Sequence, residues 1–146
     1  VIRPEPHELP ALVRDLHQQG GAWLPAGLGS RLDWGPPLHQ PCAVVSCARL
    51  DRILEHNPGD FTLTVEAGAP LAALQAALAP HRQWLALDPP WGAADSSLGG
   101  LVARGLAGGY RQRHLGVRDQ LIGIRLLRAD GVAARAGGRV VKNVAG

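Results

Sequence analysis

The chain has 146 residues, 46% of them hydrophobic and 18% charged, and its 15 basic against 12 acidic side chains leave a formal charge of +3. A chain of this length buries roughly two-thirds of its unfolded surface, so it can form a core without a disulfide framework or a structural metal. Its longest apolar stretches, Leu98 to Ala103 and Leu121 to Leu127 with Arg125 inside, fall far short of the about 18 residues that a membrane helix needs.

In chain order, Glu8 to Gln19 places Leu9, Leu12, Val13 and Leu16 at helical spacing, and Gly20-Gly21 stops the helix. Trp23-Leu24-Pro25 reads as a short strand, and Ala26 to Pro37 as a glycine-rich loop. Ala43 to Ser46 predicts a strand, Leu50 to His56 a short helix ended by Asn57-Pro58-Gly59, and Phe61 to Glu66 an alternating strand. Pro70 opens a helix carrying Leu71, Leu74 and Leu78, and Trp84 to Leu87 reads as a strand before the Asp88-Pro89-Pro90-Trp91-Gly92 loop. Ser96 or Ser97 can cap a helical turn over Gly99 to Ala103, which Gly105, Gly108 and Gly109 bring to an end. Leu121 to Leu127 predicts a largely buried strand, Ala129-Asp130-Gly131 a turn, and Val132 to Arg135 the return of a hairpin. Hairpin signals beside crossover signals give an α+β fold with mixed sheets.

Lys142 is the one lysine, and the arginines are scattered. Arg111, Arg113 and Arg118, with His114 among them, form the densest basic cluster but have only Tyr110 as a stacking platform, which argues against a nucleic-acid partner. Cys42 and Cys47 form a C-x4-C pair near His39 with no second ligand pair, so two buried reduced thiols in a reducing cytoplasm are expected, and no metal site. The amino terminus lacks a secretory signal and an initiating Met and reads as an interior start.

Gly27-Leu28-Gly29-Ser30-Arg31-Leu32 begins like a dinucleotide fingerprint, but its sixth position is Leu32, and Trp34-Gly35-Pro36-Pro37 follows where a helix should start. Without that helix the Rossmann mode of pyrophosphate binding fails. Two readings stay open: a nest of consecutive backbone N–H groups that holds pyrophosphate with help from the Ser30 hydroxyl, or an ordinary corner loop. Ser96-Ser97-Leu98-Gly99-Gly100 offers the same pair, a close approach to a flat or phosphorylated ligand or a capped helix entry. Hydrolase elbow, Walker and zinc-protease motifs are all missing, and His81 and His114 receive no catalytic role.

Taken together these segments resemble the FAD-binding domain of the vanillyl-alcohol oxidase and p-cresol methylhydroxylase superfamily over nearly the whole chain. Pro25 to Arg31 stands at the family's pyrophosphate loop, with Leu28 replacing one glycine, and Thr64-Val65-Glu66-Ala67-Gly68-Ala69 resembles its V-x-A-G strand. Leu87-Asp88-Pro89-Pro90 and Ser96-Ser97-Leu98-Gly99-Gly100-Leu101-Val102-Ala103 resemble its L-D-P and A-T-I-G-G-x-x-A segments. Arg104-Gly105-Leu106-Ala107-Gly108 stands where T-N-A-S-G is usual, with the Asn replaced by Gly105. Gly116-Val117-Arg118-Asp119 and the run from Gly137 to Val140-Val141-Lys142-Asn143-Val144-Ala145-Gly146 complete the pattern, the latter similar to the subgroup that oxidises 2-hydroxy acids. Within the family the pattern looks closest to the FAD-binding subunit of bacterial glycolate oxidase.

The resemblance implies two small α+β subdomains, about 1–68 and from about 69 onward, truncated at the C-terminal end. It implies FAD held by Ala26, Gly27, Leu28, Gly29, Ser30, Arg31, Pro89, Ser96, Ser97, Gly99, Gly100, Gly105 and Gly108. No His stands in the loop to tether the flavin, so binding is expected to be non-covalent. A small 2-hydroxy acid is the implied substrate, and other subunits of a glycolate-oxidase-like complex are the implied partners, through which any membrane association would run. In the family the adenine contacts and the substrate domain lie beyond the last segment, so these 146 residues alone are expected to bind FAD weakly and oxidise nothing. The rival expectation is a non-catalytic partner subunit of the same fold that has lost productive flavin binding. No residue presents itself as a catalytic base.

Overall fold

A computed structural model describes residues 1–90 and 94–139. Helix α1 (Leu9–Gln19) carries Pro10 in its first turn and ends at Gly20, whose φ of 65° lets its N–H return to the His17 carbonyl at 3.1 Å. Strands β1 (Trp23–Ala26) and β2 (Ala43–Ser46) pair in parallel, and Ile2 extends the pairing by a bridge to Val45. The chain leaves the end of β1 directly into the first glycine loop, so this strand pair positions that loop.

Strands β3 (Ile53–Asn57) and β4 (Thr62–Val65) form an antiparallel hairpin. This corrects the helix expected over Leu50 to His56. Three apolar residues at helical spacing are too short a run to decide between helix and strand, and a residue before proline, here Asn57, is biased toward extended backbone. The Asn57-Pro58-Gly59 signal therefore marks a hairpin loop, made by a 3₁₀ turn over Pro58–Asp60. The hairpin base is tied by Arg52, whose Nη2 lies 2.7 Å from Glu66 Oε1 and whose backbone N–H donates to Glu66 Oε2 at 3.0 Å. The hydrogen bond from Arg52 holds the Glu66 carboxyl below its ordinary value. A carboxylate with a depressed folded-state pKa contributes stability above its unfolded pKa and loses it as pH falls through the folded one. Glu66→Gln should therefore lower the melting temperature modestly at neutral pH and flatten its acid dependence below about pH 4.5, as melting curves of both proteins between pH 7 and 3 would show.

Helix α2 (Leu71–Leu78) buries Leu71, Leu74 and Leu78, the spacing read from the sequence. The strand expected over Trp84 to Leu87 does not form. The segment is satisfied by side-chain amides instead: Gln75 accepts from the Leu85 N–H at 2.9 Å and donates to the Leu85 carbonyl at 2.8 Å, and Gln120 donates to the Ala86 carbonyl at 3.2 Å. With those groups paired, no neighbouring strand is required. A single parallel bridge follows, between Asp88 and Gly108.

Helix α3 (Leu98–Arg104) is capped by Ser97, whose Oγ accepts from the Gly100 N–H at 3.3 Å, and closes at Gly105 with φ 65°. Two four-residue helices follow, α4 (Arg111–His114) and α5 (Val117–Gln120), neither of them expected from the sequence. Leu71, Leu87, Leu101, Ala107 and Val117 pack together as a core cluster, with Leu85, Leu98, Val102, Leu106 and Leu121 against it. Strands β5 (Gly123–Leu127) and β6 (Ala133–Gly137) form the expected antiparallel hairpin, but β5 is half-exposed rather than buried, with Leu126 45% accessible. The ribbon has two strands and, among the described residues, no third to cover it. The Gly131 turn of this hairpin lies on α1, where a Cβ would come within 2.9 Å of the Pro10 carbonyl.

The fold is thus α+β, with parallel and antiparallel pairing in separate two-stranded sheets. Cys42 and Cys47 are free and half-buried rather than buried, and burial pushes the Cys47 thiol up. No helix among the described residues is long and apolar enough to cross a membrane, and no cluster of His, Cys, Asp and Glu there could hold a metal.

Candidate functional site

The two glycine-rich segments, some 65 residues apart in sequence, meet in space. Ala26 is buried at the end of β1, and its carbonyl accepts from the Cys47 N–H at 2.7 Å. The next carbonyl, that of Gly27, accepts from Ser46 Oγ at 2.9 Å. A Cβ on Gly27 would overlap Ser97 Oγ and come within 2.9 Å of Ser97 Cβ, so glycine here is what lets the first loop lie against the cap of α3. Gly29 has φ 83°, and a Cβ there would meet only Leu32 Cδ1 at 3.6 Å. Its glycine is demanded by backbone conformation and not by crowding.

Arg31 fastens the segments together. Its Nη2 donates to Ser96 Oγ and to the Pro90 carbonyl, both at 2.9 Å, and its Nη1 donates to Ser30 Oγ at 3.0 Å. Ser96 and Ser97 are both buried, and the Arg31–Ser96 bond is half-buried. The Nε of Arg31 is buried with no hydrogen-bond partner among the described residues. Beside this staple lies an open cavity of about 390 Å³ lined by Leu28, Gly29, Ser30, Arg31, Asp33, Trp34 and Asp95. That volume falls in the range of small-molecule sites.

The remaining expected residues sit around this centre for reasons of their own. Pro89 is buried beside Pro90. The glycine at 99 is explained by packing, since a Cβ would lie 2.7 Å from both the Ala67 Cβ and the Ala67 carbonyl oxygen. Gly100 donates to Ser97 Oγ inside the cap, where a Cβ would stand 3.0 Å from that oxygen. Gly105 ends α3 in open space, and Gly108, with φ 70°, faces the Asp88 backbone. Asp33, Trp34 and Asp95 line the cavity without having been expected there, and Arg104 lies over the Trp34 ring. Trp34 follows the glycine run closely enough for its position to have pointed to the site. Asp95 and Arg104 carry no such signal.

This arrangement belongs to a known class. A family model described as an FAD binding domain matches residues 1–137, and the chain belongs to that family. It is 37% identical over 120 residues, 82% of its length, to the glycolate oxidase subunit GlcE of Escherichia coli strain K12, covering 34% of that protein. It is 33% identical over 141 residues to a D-2-hydroxyglutarate dehydrogenase of Xanthomonas citri pv. viticola, covering 95% of this chain and 29% of that one. Among solved structures, alkyldihydroxyacetonephosphate synthase superposes with a TM-score of 0.76 at 21% identity, over 94% of this chain and 28% of that one. The fold is therefore that of the vanillyl-alcohol oxidase type of FAD-binding domain, and the chain spans about a third of the length of the curated relatives it matches.

FAD is the family's cofactor, and the residues around the cavity suit its chemistry. The Ser30 hydroxyl and the backbone N–H groups of its loop are donors of the kind that phosphate oxygens would accept from, while Asp33 and Asp95 are acceptors suited to sugar or ribityl hydroxyls.

Proposed function

We propose that the protein serves as the FAD-binding part of a 2-hydroxy-acid oxidase or dehydrogenase and acts as a glycolate oxidase subunit. The observation that carries this reading is the relationship to a glycolate oxidase subunit and a D-2-hydroxyglutarate dehydrogenase, whose named substrates share a carboxylate beside a carbinol. The flavin, when bound, supplies the oxidising chemistry. The chain's own task is to bind and orient it: residues Ala26 to Arg31 hold the diphosphate, and Pro89, Ser96, Ser97, Gly99, Gly100, Gly105 and Gly108 form the backbone on which the rest of the cofactor rests. Binding is non-covalent, because the loop from Ala26 to Arg31 holds no His to which a flavin could be tethered. Residues 1–68 and those from 69 onward act as the two subdomains between which the cofactor lies. The core cluster supports that division, since all five of its residues come after residue 69. Other subunits of a glycolate-oxidase-like complex are the partners, and the cytoplasm is the compartment.

The test is anaerobic mixing of the native holoenzyme with glycolate, D-2-hydroxyglutarate and acetate, followed by visible flavin absorbance. Bleaching by glycolate but not by acetate is the expected result. Tight FAD binding with no bleaching by any 2-hydroxy acid would overturn the assignment to hydroxy-acid oxidation.

A further inference from the structure

Arg104 reaches from the end of α3 across the fold to the first glycine-rich loop. It is exposed at the end of α3, yet its guanidinium carbon lies over the Trp34 ring, 5.5 Å from the centroid. Its Nη2 comes to 3.5 Å from the Arg31 carbonyl, the outer limit of a hydrogen bond. No ion pair engages it among the described residues. Arg31, by contrast, is spoken for: it stands over the same indole at 5.1 Å with its two terminal nitrogens already donating to Ser30, Pro90 and Ser96.

The charges around the cavity make this difference matter. Two carboxylates, Asp33 and Asp95, line it against one guanidinium, that of Arg31. A diphosphate entering such a cavity meets two carboxylates and one guanidinium among the described residues, and the backbone donors and the Ser30 hydroxyl have to outweigh the repulsion. A second guanidinium swung in beside the loop restores the balance, and its flat face on Trp34 keeps it there at little entropic cost.

We propose that Arg104 is a diphosphate-binding arm: a cation held on the Trp34 indole at the cavity edge, recruited to the phosphate oxygens of the cofactor. This rests on the reading of the cavity as the FAD site and adds to it a residue outside both glycine-rich loops. The arm acts on the phosphates and not on the flavin ring, which separates it from a residue that merely supports the fold.

The experiment measures affinities for FAD, ADP and riboflavin in wild type, Arg104→Gln and Arg104→Lys, at several salt concentrations. Arg104→Gln should weaken FAD and ADP about tenfold, leave riboflavin unchanged, and flatten the salt dependence of FAD binding. Arg104→Lys should recover most of the loss, since a point charge still reaches an anion. Equal weakening of riboflavin, no recovery with Lys, or wild-type FAD affinity and salt dependence in Arg104→Gln would each overturn the proposal while leaving the FAD site in place. A wild-type protein that binds no FAD would overturn both.

Discussion

Gly27→Ala should lower FAD affinity at least tenfold and cost about 2–3 kcal/mol of folding stability, although only one methyl is added. The methyl would overlap Ser97 Oγ and stand 2.9 Å from Ser97 Cβ. Rotating the hydroxyl away removes the α3 cap without clearing the Cβ, so the two loops must separate. Separation stretches the Arg31 bonds to Ser96 and Pro90 and widens the cavity. Urea denaturation and FAD titration of the variant measure the two losses. Combining it with Ser97→Gly should restore part of the FAD affinity while giving up the cap, which is worth about 1 kcal/mol. A Gly27→Ala protein as stable as wild type would mean that the loops are not in contact.

How far this site could be read from the sequence depends on how local each feature is. Gly29 and Ser30 are legible because a loop that needs left-handed backbone and donors announces both in adjacent residues. Leu71, Leu74 and Leu78 are legible because helical period is written in the chain itself. The Leu50 to His56 segment misled because its strand character comes from pairing with Thr62–Val65, a partner that short-range periodicity does not see. Trp84 to Leu87 misled in the opposite direction: its apolar run looks like a strand, but its backbone is paired by Gln75 and Gln120. The contact of Gly27 with Ser97 and the reach of Arg104 to Trp34 join residues about 70 apart, and only the folded chain shows them.

Gly108→Ala should be the most destabilising single methyl in the second half of the chain, by at least about 3 kcal/mol. Left-handed backbone at φ 70° already costs a non-glycine residue about 1–2 kcal/mol. The new Cβ would also overlap the Asp88 carbonyl, a backbone atom that cannot rotate aside, and break the bridge between Asp88 and Gly108. That bridge continues the 2.9 Å bond from the Asp88 N–H to the carbonyl of Ala107, a member of the core cluster, so the strain reaches the core. Chemical denaturation should show a lower midpoint with an unchanged slope. Unaltered stability with weakened FAD binding would instead make Gly108 a direct cofactor contact.

On the proposed reading, the Gly27–Arg31 loop holds the FAD diphosphate through its backbone. A flavin-fluorescence titration of wild type beside Gly29→Val tests it most directly, because a Cβ at Gly29 meets only Leu32 at 3.6 Å and disturbs the loop's conformation more than its packing. Wild type should bind FAD saturably and one to one, with displacement by ADP, and a folded Gly29→Val protein should bind it at least tenfold more weakly. Equal FAD affinity in the two proteins would contradict that reading.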